Sequence, residues 1–567
     1  MNRFLLATSL FYCVLFGSPC FAEATKYEAE SAVLEKGAMA ETSGDASNGG
    51  YVKLNNGSIT FSVSVEKKGI HTLTIHYQNN YGGSKINNIN VNGVQVGSPT
   101  FEIAATFTDV ETTAALNAGT NEVSITSSWG WIDVDYIAIS EYTPEPFVIS
   151  DSPVTANATE SAKKLYNFLK ENFGKKTISG IMTGDINTSA DILSQEDVKA
   201  VYTAGGHYPA LIGFDFLFAT GPKASESWYQ EYTNKTISLA EELWKKGGIP
   251  AFTWHWKDPS DQVDAFYVQG SGDPYTTFDF TKAFIPGTTE WDSESDTYKQ
   301  MTEDLDHIAS LFLQLQEADI AAIFRPIHES GGSWFWWSTH TGEEFAALYR
   351  LIYDRIVNKN GVKNLIWVFN PQDATFTSWD PGANYYDVLS VDIYNDTNNH
   401  VSNFSAFSSL KSKFGATKIL ALTENGPIPD VNNMYEDGAT WSWWMPWYQT
   451  WNGGFISKTA NSVWTSNLND DRIITLDEMS GWESASDMKD NTQTDDFTVY
   501  PSLLTEELHI FCSKKAIISI TDAFGRLISS SISEGGQTDI NCSKWNSGIY
   551  FVHIINDGHT ICLKVMK

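Results

Sequence analysis

The sequence predicts a multidomain protein in which a central (β/α)8 barrel lies between an N-terminal β-sandwich and a small C-terminal β-sandwich-like domain. The chain has 567 residues with 42% hydrophobic and 19% charged content, which is too long for one ordinary core. Its central part alternates short apolar strands with amphipathic helices, as parallel barrels do. Both flanks instead show period-two alternation and turn clusters without long helices.

Shifts in composition predict six segments along the chain. An apolar run behind a short basic start, with small residues before Ala22, predicts a cleaved signal peptide and therefore export. A lipoprotein anchored through Cys20 is the alternative, although no lipobox precedes that residue. The predicted segments are a signal peptide (1–22), a β-sandwich (23–143), a linker (144–154), a barrel (155–485), a second linker (486–496) and a C-terminal domain (497–567).

Strand and helix patterns in the central part predict the barrel. A doubly wound parallel sheet is the alternative fold. The strand candidates are Thr177–Ile181, Ala210–Asp215, Ile249–His255, Ala321–His328, Leu365–Asn370, Val388–Tyr394, Ile419–Glu424 and Thr440–Trp443. The clearest helical patterns are Ser161–Phe173, Leu239–Lys246, Leu305–Gln316 and Phe345–Ile356.

The flanks read as β-structure. In the N-terminal flank, residues 71–77 alternate apolar and polar side chains, and Asn92-Gly93 is a hairpin-turn pair. In the C-terminal flank, residues 516–521 and 547–552 predict two strands. Once a signal peptide is removed, the remaining cysteines are Cys512, Cys542 and Cys562, which allow one disulfide and an odd thiol.

Charge and aromatic content narrow the classes of partner. The formal net charge is −32, from 37 basic and 69 acidic residues, which disfavours a nucleic-acid partner. Twenty Trp, 24 Tyr and 32 Phe are a high aromatic load, as in proteins that stack amphipathic faces such as those of sugar rings.

Two glutamates end apolar strand candidates, and they are the strongest chemical signal. Glu329 follows the fourth candidate and Glu424 ends the seventh. Catalytic side chains of such barrels project from the C-terminal ends of strands, so the two carboxyl groups are expected to meet roughly 5 Å apart, as in a retaining glycosidase. Arg325 and Tyr394 are the candidates to hold Glu424 ionised and oriented.

Aromatic residues and histidines surround these positions in the sequence. Three tryptophans follow Glu329 within residues 334–337, and three more lie in residues 441–444. Trp254-His255 ends the third strand candidate. No HExxH or facial-triad spacing occurs, so no cofactor is expected for catalysis.

Residues 155–480 resemble glycoside hydrolase family 26. The resemblance rests on Arg325-Pro326-Ile327-His328-Glu329 with the following Gly332–Trp337 run, on Trp254-His255, on Asp392-Ile393-Tyr394 and on Thr423–Gly426. It implies a (β/α)8 barrel with Glu329 as acid/base and Glu424 as nucleophile. It also implies a substrate-binding set around the sugar at the cleavage point, namely Trp254, His255, Arg325, His328, Trp334, Tyr394 and Trp443, with Trp444 as the alternative stacking platform.

The resemblance implies an endo-acting β-1,4-mannanase whose partner is mannan, galactomannan or glucomannan. Members of the family that cut β-1,3-xylan or mixed-linkage β-glucan give one alternative. A non-catalytic glycan-binding surface protein is the other, and it would need neither carboxylate. We expect a monomer.

Residues 25–143 resemble a family 35 carbohydrate-binding module, through Tyr27–Glu30 and Trp129–Tyr136. The resemblance implies a structural calcium held by Glu28, Glu30 and Asp135, with sugar contacts from Trp129, Asn79 and Tyr81. A plain β-sandwich spacer is the alternative.

The last segment resembles the C-terminal sorting domain of type IX secretion cargo. The similar stretches are Val499–Ser502, Asp522–Arg526, Trp545–Val552 and Lys564–Lys567. The resemblance implies the type IX secretion machinery as a partner and a secreted or cell-surface location. A third sugar-binding sandwich is the alternative.

Overall fold

The computed structural model describes residues 24–143, 146–451, 453–479, 497–500, 507–522, 526–546, 548–556 and 559–567. The predicted signal peptide, the second predicted linker and the side chain of Trp129 lie outside this description. The chain forms two compact units, one ending at Ser480 and one beginning at Gly481. No helix in the described ranges has the length and apolarity that a bilayer crossing requires.

The N-terminal part is an antiparallel β-sandwich. One sheet has the order β10-β6-β12-β4-β3 with β1 on β12, and the other has the order β2-β5-β11-β7-β8 with β9 on β7. The strands are β1 Thr25–Glu28, β2 Val33–Glu35, β3 Met39–Thr42, β4 Gly50–Leu54, β5 Ser58–Val65, β6 Gly69–Asn79, β7 Lys85–Val91, β8 Val94–Gly97, β9 Thr100–Phe101, β10 Ala104–Leu116, β11 Gly119–Trp129 and β12 Ile132–Glu141.

Local sequence explains the sandwich. The alternation of residues 71–77 falls inside β6, where every second side chain is buried between the sheets. Asn92 and Gly93 have φ of 51° and 83° and connect β7 to β8 with Val91 opposite Val94. These positive φ values are those of a type I′ turn, which Asn-Gly adopts at low cost.

The central part is an eight-stranded parallel barrel with helices around it, as the sequence predicts. The strands are β13 Thr177–Met182, β14 Leu211–Asp215, β15 Ile249–Trp254, β16 Ala322–Pro326, β17 Leu365–Phe369, β18 Val388–Ile393, β19 Ile419–Asn425 and β20 Trp443–Trp444, with β21 Ile473–Ile474 beside β13. The helices are α1 Glu160–Asn172, α2 Glu196–Gly205, α3 Ser227–Lys245, α4 Asp296–Glu317, α5 Gly342–Tyr353, α6 Phe404–Phe414, α7 Val431–Asp437 and α8 Asn461–Leu468.

The eighth strand closes the barrel through few bonds. β20 pairs with β13 in parallel, with Trp443 opposite Ile178. On its other side the backbone N–H of Ser442 donates to Leu420 of β19 at 2.8 Å, and that of Trp447 donates to Asn425 at 3.1 Å. This strand begins at Trp443, three residues later than the predicted Thr440. The shift changes which tryptophan side chains lie at the barrel mouth.

The sandwich contacts the flank of the barrel within the first unit. Lys68, at the β5–β6 turn, pairs with Glu436 of α7 at 2.8 Å. Tyr142, just after β12, packs edge-on against Phe404 of α6 at 5.7 Å between ring centroids. The exposed ion pair contributes little stability, so the aromatic contact is the stronger link.

The second unit is a small β-domain. Its strands form the sheets β22-β23-β26 and β25-β24-β27-β28, and its core includes Ile518, Ile520 and Val552. Cys512 and Cys542 are buried free thiols. The strands are β22 Phe497–Tyr500, β23 Glu507–Cys512, β24 Ala516–Asp522, β25 Leu527–Ser533, β26 Gly536–Asn541, β27 Ile549–Asn556 and β28 His559–Met566.

Candidate active site

Glu329 lies in a strained turn directly after β16. Ile327 and Glu329 have φ of 36° and 54°, a region that non-glycine residues rarely adopt. The Glu329 backbone N–H donates to Asn370 Oδ1 at 2.7 Å, which anchors the turn to the end of β17. Strain of this kind persists where surrounding contacts over-determine the backbone, and it aims the Glu329 side chain into the barrel mouth.

Glu424 lies within β19 and is held by two donors. The Arg325 guanidinium donates to Glu424 Oε1, and the Tyr394 hydroxyl donates to Oε2 at 2.5 Å. Arg325 also binds Asp392 at 2.8 Å, so this buried cation has two carboxylate partners. Charge-assisted bonds of this kind stabilise the ionised carboxylate and fix its orientation.

The two glutamates and Asp392 converge. One carboxylate oxygen of each lies within 4.8 Å of the others, and no other trio of acid, histidine or cysteine side chains in the described ranges is as close. The separation of Glu329 and Glu424 matches the ~5 Å of retaining glycosidases and leaves no room for the water of an inverting one.

The environment of Glu329 favours its protonated form. Burial raises the pKa of Glu329 well above its ordinary value, and the negative charges of Asp392 and Glu424 raise it further. Trp334 Nε1–H donates to Glu329 Oε2 at 2.6 Å, which opposes this rise and orients the carboxyl group. A buried carboxyl group with such neighbours is suited to give a proton.

Two histidines line the same mouth. His328 is kept neutral, and His255 is held in a fixed orientation. Burial, with the positive charge of Arg325, lowers the pKa of His328 well below its ordinary value. His328 Nε2 lies 3.7 Å from Glu424 Oε1. His255 Nδ1 pairs with Asp215 Oδ2 at 2.6 Å, so that its ring orientation is set by a carboxylate at the end of β14. Both rings can hydrogen-bond a ligand hydroxyl.

Asn370 joins the surroundings of the two glutamates. Its carbonyl oxygen accepts from Glu329, while its amide Nδ2 donates to Asp392 at 3.1 Å and to Thr423 at 2.9 Å. Thr423 directly precedes Glu424 and donates to Asp392 at 2.7 Å. One buried side chain therefore contacts the backbone of one glutamate and the network behind the other.

The tryptophans are not placed as the sequence predicts. Trp443 and Trp444 are 1% and 0% exposed, and Trp254 is fully buried against Trp256. Their ring faces are covered by protein, so the stacking-platform role predicted for Trp443 or Trp444 is wrong in this structure. Trp254 is covered in the same way, so it offers no exposed ring face to a ligand.

Trp447, like Trp334, is a partly exposed indole at the mouth. It follows β20 and lies 5.9 Å from the ring of His255, at 67°. Sequence reasoning missed it because the predicted eighth strand ended at Trp443. With the strand at Trp443–Trp444, Trp447 lies three residues beyond its C-terminal end, in the loop at the barrel mouth.

Asp392 and Asn370 were also missed as site residues. Asp392 is the second-last residue of β18 and Asn370 directly follows β17, so both are polar residues at the C-terminal ends of apolar strands, which is the signal that identified Glu329 and Glu424. Their role is visible only once the Arg325 side chain is seen to lie between β16 and β19.

The predicted calcium ligands lie together at one end of the sandwich. Ser47 connects two of them, because its hydroxyl donates to Glu28 and its backbone N–H donates to Asp135, both at 2.9 Å. Asn48 donates to Glu30 at 3.1 Å. Glu28, Glu30 and Asp135 each keep one buried carboxylate oxygen without a hydrogen-bond partner. Such oxygens are costly unless a cation or donor satisfies them, and hard oxygen ligands suit calcium.

Comparisons with known protein families match three parts of the chain. Residues 154–478 match glycosyl hydrolase family 26, residues 25–142 match carbohydrate binding module family 35, and residues 498–567 match the secretion system C-terminal sorting domain. The sorting domain marks a secreted or cell-surface protein.

Relatives and solved structures agree. The chain is 32% identical to mannan endo-1,4-beta-mannosidase B of a Piromyces species over 79% of this chain and 75% of the relative. It is 32% identical to a mannan endo-1,4-beta-mannosidase of Thermothelomyces thermophilus over 82% of this chain and 92% of the relative.

Two crystal structures resemble most of the chain. One is a ruminal GH26 endo-beta-1,4-mannanase, with a TM-score of 0.68 and 26% identity, covering 81% of this chain and 99% of that one. The other is the GH26-CBM35 beta-(1,4)-mannanase of Podospora anserina, with a TM-score of 0.56, 28% identity and the same coverage. The barrel, its paired glutamates and these matches lead to one conclusion: the chain belongs to glycosyl hydrolase family 26, with an N-terminal family 35 carbohydrate-binding module and a C-terminal secretion sorting domain.

Proposed function

We propose that the protein is an endo-β-1,4-mannanase that cleaves mannan, galactomannan or glucomannan with retention of anomeric configuration. The single observation that carries the chemistry is the approach of a Glu329 and a Glu424 carboxylate oxygen within 4.8 Å at the barrel mouth. The substrate class is supported by curated relatives that are mannan endo-1,4-beta-mannosidases.

In the first step Glu424 attacks the anomeric carbon of the bound mannosyl unit. Arg325 and Tyr394 hold both its oxygens, so the carboxylate enters the reaction already oriented. The C–O bond to the leaving sugar breaks as Glu329 gives its proton to the glycosidic oxygen. The products of this step are a leaving chain with a free 4-hydroxyl at its new non-reducing end and a mannosyl ester on Glu424; the new reducing end forms in the second step.

In the second step Glu329, now ionised, takes a proton from water. The water oxygen bonds to the anomeric carbon, the ester bond to Glu424 breaks, and both carboxyl groups return to their starting states. The high pKa of Glu329 suits both roles, because a weak acid at rest is an effective base once it has lost its proton.

Three further residues bind the sugar at the cleavage point. His255 and His328 donate or accept at hydroxyl groups, and the partly exposed Trp447 gives the apolar face of the ring a surface to stack on. Trp447 takes the place that the sequence predicted for Trp443.

The test is hydrolysis of a polysaccharide panel by the wild type and a Glu424→Ala variant. The panel contains galactomannan, glucomannan, β-1,3-xylan and mixed-linkage β-glucan, and new reducing ends are measured. We expect manno-oligosaccharides from the wild type and a loss of several orders of magnitude in the variant. Activity confined to xylan or β-glucan would overturn the substrate, and inactivity on all four would support a non-catalytic binding protein.

The same variant reports on the mechanism. Azide is small enough to take the place of the missing Glu424 carboxylate and attack the anomeric carbon from the same face. We therefore expect azide to restore cleavage of a 2,4-dinitrophenyl β-mannobioside by Glu424→Ala and to give an α-mannosyl azide. Rescue without a glycosyl azide product would contradict a nucleophilic role for Glu424.

The N-terminal module is proposed to bind a structural calcium. The three unsatisfied buried oxygens of Glu28, Glu30 and Asp135 support this assignment. The ion would order the segment at Ser47–Gly49, to which all three carboxylates already bond. Asn79 is buried, whereas Tyr81 lies beside the exposed Trp131, so Tyr81 is the better placed of the two as a sugar contact.

We further propose that the type IX secretion machinery recognises the C-terminal unit and that the enzyme acts as a monomer. The first proposal rests on the match of residues 498–567. It is tested by the deletion described in the Discussion, and the oligomeric state is tested by sedimentation of the purified chain.

A further inference from the structure

The buried side chain of Asn370 bonds toward both catalytic glutamates. Asn370 directly follows β17, the fifth barrel strand, and is 1% exposed. Its carbonyl oxygen accepts from the backbone N–H of Glu329 at 2.7 Å. Its amide nitrogen donates to Asp392 at 3.1 Å and to Thr423, the neighbour of Glu424 in β19, at 2.9 Å. These bonds go to groups that carry the two glutamates and not to the reacting carboxyl groups themselves.

On one side, Asn370 holds the turn that carries Glu329. Ile327 and Glu329 have positive φ, and such a backbone persists only where outside contacts fix it. The residues after β17 supply these contacts. The Ser330 N–H donates to the backbone carbonyl of Asn370 at 3.1 Å, and the Gln372 N–H donates to the Ser330 carbonyl at 3.0 Å. The Asn370 side chain adds the bond to Glu329 itself, so it orients the residue that gives the proton.

On the other side, Asn370 supports the network behind Glu424. The Asp392 oxygen that accepts from Asn370 also accepts from the Thr423 hydroxyl at 2.7 Å. The second oxygen of Asp392 accepts from Arg325 at 2.8 Å, and Arg325 donates to Glu424. Asn370 therefore helps to fix the carboxylate that fixes the guanidinium, and the guanidinium holds the nucleophile.

The two ends of this side chain need different chemistry, and an amide supplies both. A backbone N–H only donates, so the Glu329 side requires an acceptor, whereas the Asp392 carboxylate accepts and requires a donor. These partners also fix which end of the Asn370 amide is the oxygen. A carboxylate in its place would meet Asp392 as a like charge, and an apolar side chain would leave buried polar groups unpaired on both sides.

We propose, on the basis of the mannanase function argued above, that Asn370 is a positioning residue that sets the mutual placement of the acid/base and the nucleophile. Its planar amide ties the turn after β16 to the network behind β19. This connection keeps the carboxylate oxygens of Glu329 and Glu424 within 4.8 Å of each other. A side chain that only satisfied buried polar groups would affect stability and leave the activity of each folded molecule unchanged.

The test measures kcat/KM of Asn370→Ala per folded molecule on mannopentaose and on 2,4-dinitrophenyl β-mannobioside. Cleavage of mannopentaose requires Glu329 as acid and Glu424 as nucleophile, whereas departure of dinitrophenolate requires the nucleophile alone. Because Asn370→Ala releases both glutamates, we expect kcat/KM to fall about 100-fold on mannopentaose and about tenfold on the aryl substrate.

Asn370→Asp separates the two sides of the connection. It keeps an acceptor for the Glu329 N–H but places a second carboxyl group against Asp392. The turn of the acid/base is then held, and only the network behind Glu424 is disturbed. We therefore expect kcat/KM to fall by the same factor on both substrates, about tenfold.

Asn364→Ala is the matched control. Asn364 is a fully buried asparagine just before β17, at the opposite end of the strand from Asn370. Its amide donates to the backbone carbonyls of Ile320 at 2.8 Å and Phe312 at 3.4 Å. Its loss should lower Tm, as the loss of Asn370 does, but should leave kcat/KM per folded molecule within about twofold on both substrates.

The outcomes separate this role from the proposed function. An Asn370→Ala variant with a lower Tm and unchanged kcat/KM, or with equal losses on the two substrates, would overturn the connection while leaving the mannanase intact. If Asn370→Ala does not fold, Asn370→Asp decides alone, because full activity on both substrates or a loss confined to mannopentaose would contradict the proposal. A wild type inactive on both substrates would overturn the proposed function itself.

Discussion

At the residue scale, Glu329 and Glu424 differ in the partners that surround them. Glu424 receives hydrogen bonds from a cation and a phenol, whereas Glu329 receives one from the neutral indole of Trp334. Arg325, the fourth residue of β16, points toward Glu424, the sixth residue of β19. These different surroundings suit the two identical side chains to the opposite tasks proposed for them.

Removing the indole donor from Glu329 is expected to shift the pH profile. The general acid works only while protonated, so kcat/KM falls as pH rises through the pKa of Glu329. The Trp334 hydrogen bond stabilises the ionised form and lowers this pKa. In Trp334→Phe the basic limb of the kcat/KM profile on mannopentaose should therefore move to higher pH, by roughly 1 pH unit.

A substrate that needs no acid gives the control. The 2,4-dinitrophenolate leaving group departs without protonation, so its aryl β-mannobioside should show no displaced basic limb in either protein. A Trp334→Phe limb on mannopentaose that stays in place or moves to lower pH would contradict the role of this hydrogen bond.

The sequence was sufficient to predict that the two glutamates meet at the barrel mouth, but not to predict all of the residues that contact them. Glu329 and Glu424 stand out because each interrupts an apolar strand at its end. Asp392 and Asn370 have the same signal, but the buried contacts that give them a role join residues 22 to 67 positions apart. Pairings of that kind depend on barrel closure and have no local pattern in the chain.

At the element scale, the buried carboxylate of Asp197 joins the loops after β13 and β20. It accepts from the Gly184 N–H in the first loop, and from the Gln449 N–H, the Thr450 N–H and the Thr450 hydroxyl in the second. Asp197→Ala leaves three backbone N–H groups and one hydroxyl without their acceptor. We expect the free energy of unfolding of the barrel to fall by about 3 kcal/mol, seen as a lower Tm of its calorimetric transition.

Two companions calibrate this loss. Asp197→Asn keeps the volume and one acceptor oxygen, so it should cost less than Asp197→Ala. Glu196→Ala removes an exposed carboxylate from the same helical turn and should leave Tm nearly unchanged. If all three variants had the same Tm, the junction of the two loops would not stabilise the barrel.

The N-terminal sandwich is expected to depend on calcium. A ligand that binds the folded state raises its stability in proportion to the logarithm of its concentration. Calcium should therefore raise the Tm of the sandwich transition, and a chelator should lower it. The Glu30→Ala variant should melt at the same temperature with either addition, and a wild-type Tm that ignores both would exclude a structural ion at Glu28, Glu30 and Asp135.

The eighth barrel strand shows where prediction of elements from sequence fails. Residues 441–447 contain four tryptophans with no alternation of polar and apolar side chains, so several strand registers fit equally well. The predicted strand covers residues 440–443, whereas the observed strand is Trp443–Trp444. Because of this shift, the prediction assigned to the buried Trp443 the position that Trp447 occupies. The other seven strands have one apolar run each and were found within about three residues.

At the scale of the whole molecule, the chain separates its tasks among units. Residues 154–478 carry the chemistry, and the unit that begins at Gly481 is compact by itself. A chain that ends at residue 480 should keep kcat/KM on mannopentaose within about twofold of the full protein, because no site residue lies beyond that point.

The same deletion should stop export. In a bacterium with type IX secretion, the truncated chain is expected inside the cell envelope and the full chain outside it, as judged by immunoblot of cell and medium fractions. Glu424→Ala is the control, because it lacks activity but keeps the sorting domain. Truncated protein found outside in normal amounts would contradict recognition through residues 498–567.

The domain order was predictable because each part of the chain has its own alternation pattern in the sequence. Period-two alternation in residues 71–77, strand-helix alternation in the centre and short strands after residue 497 each persist over many residues. The placement of the sandwich on the barrel depends on a few surface contacts, such as Tyr142 with Phe404, which no repeating sequence pattern predicts.

The two ion pairs of Arg325 have a consequence for the synthesis of glycosidic bonds by a variant that lacks the Glu424 carboxylate. Arg325 pairs with Asp392 as well as with Glu424. When the Glu424 carboxylate is deleted, the buried guanidinium therefore keeps one carboxylate partner. Such a variant keeps its acid/base and its sugar-binding surfaces but is unable to form the ester. Supplied with an α-mannosyl fluoride, whose carbon–fluorine bond stands where the ester would be, it should join mannosyl units into polymer that it has no means to degrade.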